Sequence, residues 1–361
     1  MTNYSPQRFD SLTGLRGILA LLVVVAHGVG RVGWLETNRW TEQLFLSFGH
    51  FGVVGFFILS GFILQIVYRD RVWTIRDFAV NRFARIYPLY LFCLILAFPI
   101  DWYSPGFSPE KRTEALGLSL FLQQSWFQFS NGRFNGPGWT LGVEFFFYAL
   151  FPLFFAVKKK SGTSFYIIAI TITLLTALFW NPANFSFSHR VPHMRVWEFV
   201  LGILLADLYS GGVKKCNFGR NLTVCGGVAL LLGIISGAYL PWVIDWAFAE
   251  WLAMAFFGLA MILFLALADG RQSDFRPLAS RPLVLLGEIS YAVYLVHDSI
   301  QRYGKVFLER MTSVAIEDLD PSTRVGFIVI SILVSLVSSY FLWKFLEMPS
   351  RQYFRSRFKT R

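Results

Sequence analysis

Cysteine is scarce in this chain. There are three in 361 residues, Cys93, Cys216 and Cys225, at spacings that fit neither a CxxC pair nor a zinc-ligand template. That excludes a disulfide framework and a cysteine-based metal site, and predicts free thiols. Charge is scarce as well, at 15% of residues, and acids (22) are outnumbered by bases (33), for a net charge of +11. No polar block is long enough to fold as an independent domain. No internal repeat, low-complexity tract or inverted-repeat pair of the transporter kind is present. The glycine-rich loop GxxxxGK is absent, which argues against a P-loop ATPase.

What is abundant is apolar surface. The chain is 55% hydrophobic with a mean hydropathy of +0.51, well above soluble globular proteins, so the class is an all-α polytopic membrane bundle. Candidate spans are 13–31, 45–67, 84–102, 114–130, 138–157, 163–180, 194–210, 222–241, 249–268, 283–301 and 325–346, since a span needs about 20 apolar residues. The stretch 114–130 carries two glutamines and several serines and reads as an interfacial or re-entrant piece. Ten transmembrane helices remain, in one domain covering 1–361, with a short basic tail at 347–361.

The bases then fall on one face. Arg69, Arg71, Arg76 and Arg82 lie in one loop, followed by Lys158 to Lys160, then Lys214, Lys215 and Arg220, then Arg271, Arg276 and Arg281, and finally Arg351, Arg355, Arg357, Lys359 and Arg361. Opposite loops carry Glu36, Glu42, Asp245, Glu250, Glu317, Asp318 and Asp320. This is the positive-inside pattern, with both termini cytoplasmic; the net positive charge needs no nucleic-acid partner. The first apolar run is expected to be retained as a helix rather than cleaved as a signal peptide.

Ionisable residues inside such spans are costly and point to function or to buried partners. Arg16 and His27 are eleven apart, about three helical turns, so they share a face roughly 16 Å apart along the axis. His50 opens the second span on the outer side, in reach of the same level as His27, while Gly49, Gly52, Gly55 and Gly61 suit close helix packing. Ser60 either bonds back to its helix or lines a cavity. Arg82 and Arg85 share one helix face, a fork suited to phosphate or an inner-leaflet anchor. "NGPG" is a turn signal, and Glu144 then sits among aromatics, as a functional carboxylate or as a partner of Arg16, Arg85 or Arg195. Arg195 and Glu198, three apart, read as an intrahelical ion pair. Tyr294 and His297 share a face; Tyr291 does not.

These residues together carry a pattern. "RFDSLTGLRGILALLVVVAHGV", "GVVGFFILSGFIL", "RFARIYPLY", "GPGWTLGVEFFFYALFPL", "ISYAVYLVHDSI" and "FLEMPSR" resemble, in order, the signatures of the acyltransferase-3 family of integral-membrane O-acyltransferases, from about residue 8 to 355. Thr140 stands after Trp139 where serine is common. The resemblance implies transfer of an acyl group, commonly acetyl, from cytoplasmic acyl-CoA as donor substrate, with no bound cofactor and no metal, to a hydroxyl of a cell-surface or exported glycan, a lipid-linked sugar or a secondary metabolite. It implies an essential role for His27, as general base or as transient acyl carrier, and CoA binding by Arg16, Arg82 and Arg85. Glu144 matches the family's carboxylate, and Tyr291 and His297 a recurrent pair. Some members carry an SGNH hydrolase-like domain, and none is expected in this chain. The location implied is the cell membrane. From another class, intramembrane charge and aromatic lining also suit a transporter or flippase of a lipid-linked glycan, against which stands the missing repeat symmetry. The acceptor, acyl length and oligomeric state are not encoded in any motif.

Overall fold

A computed structural model describes residues 8–33, 39–103, 108–179, 190–215, 221–243, 248–271 and 276–358. The described residues form a helical bundle. In chain order the helices are α1 (Asp10–Arg31), α2 (Arg39–Tyr68), α3 (Ile75–Trp102), α4 (Pro109–Leu120), α5 (Trp139–Ser161), α6 (Ser164–Phe179), α7 (Val196–Gly211), α8 (Leu222–Val243), α9 (Ala249–Arg271), α10 (Arg281–Thr312) and α11 (Pro321–Phe358). Eight of them are long and apolar enough to cross a membrane; α4, α6 and α7 are shorter. The 16-residue helices α6 and α7 coincide with the two remaining expected spans. The chain is thus a multi-pass membrane protein.

The stretch 114–130 does not cross. Helix α4 ends at Leu120, Leu122 turns the chain with φ +58°, and a single 3-10 turn follows at Gln124–Trp126. The polar residues that weakened this span make the contacts: Gln124 Nε2 donates to the Gly138 carbonyl at 2.7 Å, and the Ser125 hydroxyl to the Trp139 carbonyl at 2.5 Å.

Two boundaries differ from the sequence expectation. Arg76 and Arg82 lie on helix rather than in a loop, because α3 begins at Ile75, where the Thr74 hydroxyl accepts from the Asp77 amide at 3.0 Å as an N-cap. The basic tail is helical to Phe358. It passes through a π turn at Trp343–Glu347, where the Met348 amide reaches back to the Trp343 carbonyl. Pro349 has no N–H, and the π turn falls over the carbonyls it leaves without a helical donor. Of the bases read from the sequence, Arg220, Lys359 and Arg361 lie outside the described residues, as do Glu36 and Asp245 and the thiol Cys216; Cys93 and Cys225 are free thiols.

The core is built on α1, α2, α7, α9 and α10. Helix α1 packs along α10, α2 along α7, and α8 along α9. The α2–α7 crossing is made by reciprocal glycines: a Cβ on Gly61 would run into the Phe199 carbonyl, and one on Gly202 into the Ile58 carbonyl. Apolar side chains left exposed, such as Ile168 and Ile172 on α6, Leu231 and Ile235 on α8, and Leu333 and Val337 on α11, form outward faces that suit lipid rather than water.

Candidate active site

A cavity of about 340 Å³ opens where α1 and α3 begin and α2 and α7 end, the end that the positive-inside pattern assigns to the cytoplasm. Its mouth carries Arg69, Arg71 and Lys214, and further in come Arg16, Arg82 and Arg85. Among the described residues Arg16, Arg82 and Arg85 form no ion pair; Arg82 lies over the rings of Phe78 and Tyr148, at 5.9 and 5.5 Å. Guanidinium groups gathered without carboxylate partners favour an anionic ligand that accepts charge-assisted hydrogen bonds. The carboxylates acting electrostatically on both Arg16 and Arg85 are Glu144 and Glu347. Glu347 is 3% exposed and is held by Arg351 at 3.4 Å.

Glu144 lines the cavity wall. Its Oε1 accepts from Tyr148 at 2.8 Å and from Ser60 at 3.2 Å. Both options for Ser60 and Glu144 are thereby decided: Ser60 lines the cavity, and Glu144 is tied to hydroxyls instead of to an arginine. Tyr291 also lines the cavity and donates to the Ile86 carbonyl at 2.8 Å, one residue from Arg85. Deeper, Val53, Phe56, Phe57, Leu141 and Tyr294 give an apolar inner end.

His27 does not line this cavity. Its Nδ1 lies 2.9 Å from Nε2 of His297, a fully buried residue 270 positions away, with the two rings near-parallel at 26°. Tyr294 joins the two regions. It walls the cavity, is hydrogen-bonded to the Thr140 hydroxyl at 3.0 Å, meets Phe56 edge-on at 5.7 Å, and meets His297 at 6.1 Å. The "NGPG" turn holds this helix in place: Asn135 Nδ2 donates to the Leu295 carbonyl at 3.0 Å and the Gly136 amide to Asp298 at 3.1 Å. Gln301 secures the same stretch to α1 through the Val24 carbonyl at 3.1 Å. Beside the histidines, Arg31 pairs with Asp298, and Arg302 lies 3.8 Å from Asp298 while holding Asp101 in a bidentate grip at 2.6 and 3.0 Å.

The other sequence candidates collect in a separate polar cluster. Arg195 and Glu198 form the expected i, i+3 pair at 2.9 Å, both almost wholly buried. Arg195 stacks over Trp251 at 4.3 Å, and His50 packs on the same indole at 4.6 Å with its Nδ1 3.8 Å from Glu250. Trp139 lies under Arg190 at 5.9 Å, and Arg190 is within electrostatic reach of His27 and His50. None of His50, Trp139, Arg195 or Glu198 lines the cavity.

Tyr148, Asp298, Arg31 and Arg302 were not singled out from the sequence. Tyr148 was within reach, standing four residues after Glu144 on the same helix face. Arg302, four residues after Asp298, was equally within reach, but Arg31 and Asp101 were not, because they come from two other helices.

A basic funnel, a half-buried carboxylate and a histidine pair beyond it are an arrangement for binding an anion-bearing donor and moving a proton. A family model described as acyltransferase domain, that of acyltransferase-3, matches residues 9–344. The chain belongs to the acyltransferase-3 family. Among curated proteins it is 32% identical to the acyltransferase MdmB of Streptomyces mycarofaciens, over 82% of this chain and 80% of that one. It is 23% identical to the O-acetyltransferase OatA of Staphylococcus aureus (strain NCTC 8325 / PS 47) over 97% of this chain, and 22% identical to the peptidoglycan O-acetyltransferase OatA of Listeria monocytogenes. It spans only 58% and 57% of those two longer proteins. No solved structure matches the chain.

Proposed function

We propose that this acyltransferase-3 protein is an acyl-CoA-dependent O-acyltransferase of the cell membrane, moving an acyl group, most simply acetyl, from the cytoplasmic side to a hydroxyl of a cell-surface or exported glycan. The observation that carries the reading is the cavity: unpaired Arg16, Arg82 and Arg85 at one end, and at the other a tyrosine whose ring meets His297 of the histidine pair. The phosphates and pyrophosphate of CoA suit the arginines, and the pantetheine arm suits the apolar inner end. Electrostatic pull on the phosphates and orientation of the thioester are then the work of α1 and α3. Glu144, bonded to Ser60 and Tyr148, places a carboxylate among the arginines and limits their mutual repulsion. His27 takes the proton of the acceptor hydroxyl as that oxygen attacks the thioester carbon; the C–S bond breaks, and the proton passes to the CoA thiolate. The O-acetyltransferase names of two relatives support a hydroxyl as acceptor, and the peptidoglycan in one supports a glycan.

The test is release of free CoA thiol by purified wild type, His27→Ala and Arg85→Ala, with a mixed glycan acceptor pool and a check of folded fraction. Turnover is lost in His27→Ala with CoA binding retained, and binding weakens in Arg85→Ala. A folded wild type that neither binds nor consumes acyl-CoA overturns the proposal and favours the flippase reading.

A further inference from the structure

The histidine pair specifies its own protons. His297 is fully buried, and its Nδ1 lies 3.1 Å from the Val293 carbonyl one turn back on α10. A carbonyl oxygen only accepts, so Nδ1 of His297 carries the hydrogen. The neutral ring then has its lone pair on Nε2. That atom faces Nδ1 of His27 at 2.9 Å, so the hydrogen between the rings belongs to His27 Nδ1. The lone pair of neutral His27 is therefore on Nε2, and among the described residues Nε2 takes no hydrogen bond.

No carboxylate competes for this role. Asp298, adjacent in the chain, is occupied by Arg31 and by the Gly136 amide, with Arg302 at 3.8 Å. Of the other groups within electrostatic reach, Arg31 and Arg190 around His27 are donors only, and the Tyr294 backbone, which also bonds the His297 ring, can only accept from it, as Val293 does. The frame around His297 is also rigid. Asn135 grips α10 at Leu295, and Gln301 grips α1 at Val24, each one turn or less from the ring it fixes.

We propose that His297 is a positioning residue that locks His27 in the Nδ1–H tautomer, making His27 Nε2 the atom that accepts the proton of the acceptor hydroxyl. The ordering is a backbone carbonyl, then His297, then His27, then substrate. It does what an orienting carboxylate does in a serine–histidine triad, but with a neutral imidazole, so no extra charge is buried in the bilayer. When Nε2 takes the proton, the imidazolium's Nδ1–H still points at the His297 lone pair, which spreads the new charge. The proton then leaves from the same Nε2 to the CoA thiolate, so the pair ends as it began. The catalytic part of this assignment rests on the acyl-transfer reading above; the tautomer does not.

The experiment uses the full chain with ¹⁵N-imidazole histidine in detergent or nanodiscs, where nitrogen-to-ring-proton correlations separate the two neutral tautomers, and His27→Asn assigns the signal. Wild-type His27 as Nδ1–H is the expected result, and His27 as Nε2–H overturns the proposal whether or not any activity is found. Kinetics follow on His297→Leu, which removes the acceptor, and His297→Gln, whose side-chain oxygen replaces it. His297→Leu lowers kcat by roughly 10²-fold or more, with acyl-CoA KM within about 2-fold of wild type, and His297→Gln recovers at least about tenfold of that loss. A folded His297→Leu protein with wild-type kcat, or a Gln variant no better than Leu, overturns the positioning role. If the tautomer is Nδ1–H and wild type consumes no acyl-CoA, it is the proposed function that falls.

Discussion

Arg85, like Arg16 and Arg82, lines the cavity with no ion pair of its own, so its loss removes attraction without leaving a buried carboxylate unpaired. Hydrogen bonds to charged groups contribute about 1.5–3 kcal/mol each. Arg85→Ala is therefore expected to weaken acyl-CoA binding by roughly ten- to a hundredfold in equilibrium binding, while the folded fraction holds. Glu144 should behave differently. Glu144→Gln keeps an acceptor for Ser60 and Tyr148 but removes the negative charge among the arginines, so free CoA is expected to bind more tightly while turnover falls; looser CoA binding in that variant would refute its charge-balancing role. The Arg16-to-His27 spacing, the Arg82/Arg85 fork and the intramembrane Glu144 were all legible as residues, because each is a short-range pattern on one helix. The contact between His27 and His297 was not, since no local periodicity links positions 270 apart.

At the scale of elements, the crossing of α2 and α7 depends on Gly61 and Gly202, where any side chain meets backbone rather than a yielding side chain. Gly202→Val should push the helices apart, at a cost of about 1–3 kcal/mol or more, read as a lower unfolding midpoint in detergent. The turn before α5 is a second such point. Asn135 has φ +103° and ties itself to Leu295, so Asn135→Ala loses both the bond and a residue type that tolerates that backbone region. Lower turnover with acyl-CoA affinity unchanged is expected, because the turn supports the histidine end and not the basic end. Outside the membrane, hydrogen bonds from the Ser322 hydroxyl and the Thr323 amide and hydroxyl hold the Asp320 carboxyl below the usual carboxylate range. A lowered folded value means that the stability this cap contributes is fully present above about pH 4 and is lost progressively as the pH falls from there towards the lowered folded value; a smaller protection factor for the Thr323 amide, relative to its intrinsic exchange rate at each pH, would report it. The helical stretches themselves were readable from apolar length. Their ends were less so, because Thr74 capping and the π turn before Pro349 extend helices through segments whose composition resembles loops.

For the molecule as a whole, the segments rich in bases gather at one end, around the cavity mouth with Arg69, Arg71 and Lys214. Sealed vesicles should therefore consume acyl-CoA only when it is supplied on the cytoplasmic side, and turnover from both sides of intact vesicles would contradict the orientation. Binding should also weaken as salt rises, since exposed cations at the mouth are screened beyond about 8 Å at physiological ionic strength. The sequence by itself determined that this chain crosses a membrane, which end faces the bases, that 114–130 does not span, and which single residues are too costly to bury without purpose. Those follow from transfer energies and from patterns within one helix. Only the tertiary structure decided that the arginines and Glu144 share one cavity, that Ser60 and Tyr148 hold that carboxylate, that Tyr294 walls the cavity and meets His297, and that His50, Arg195 and Glu198 form a cluster apart. Each of those depends on which helix faces lie against one another, and that is set by glycine crossings and by buried polar bonds between helices far apart in the chain.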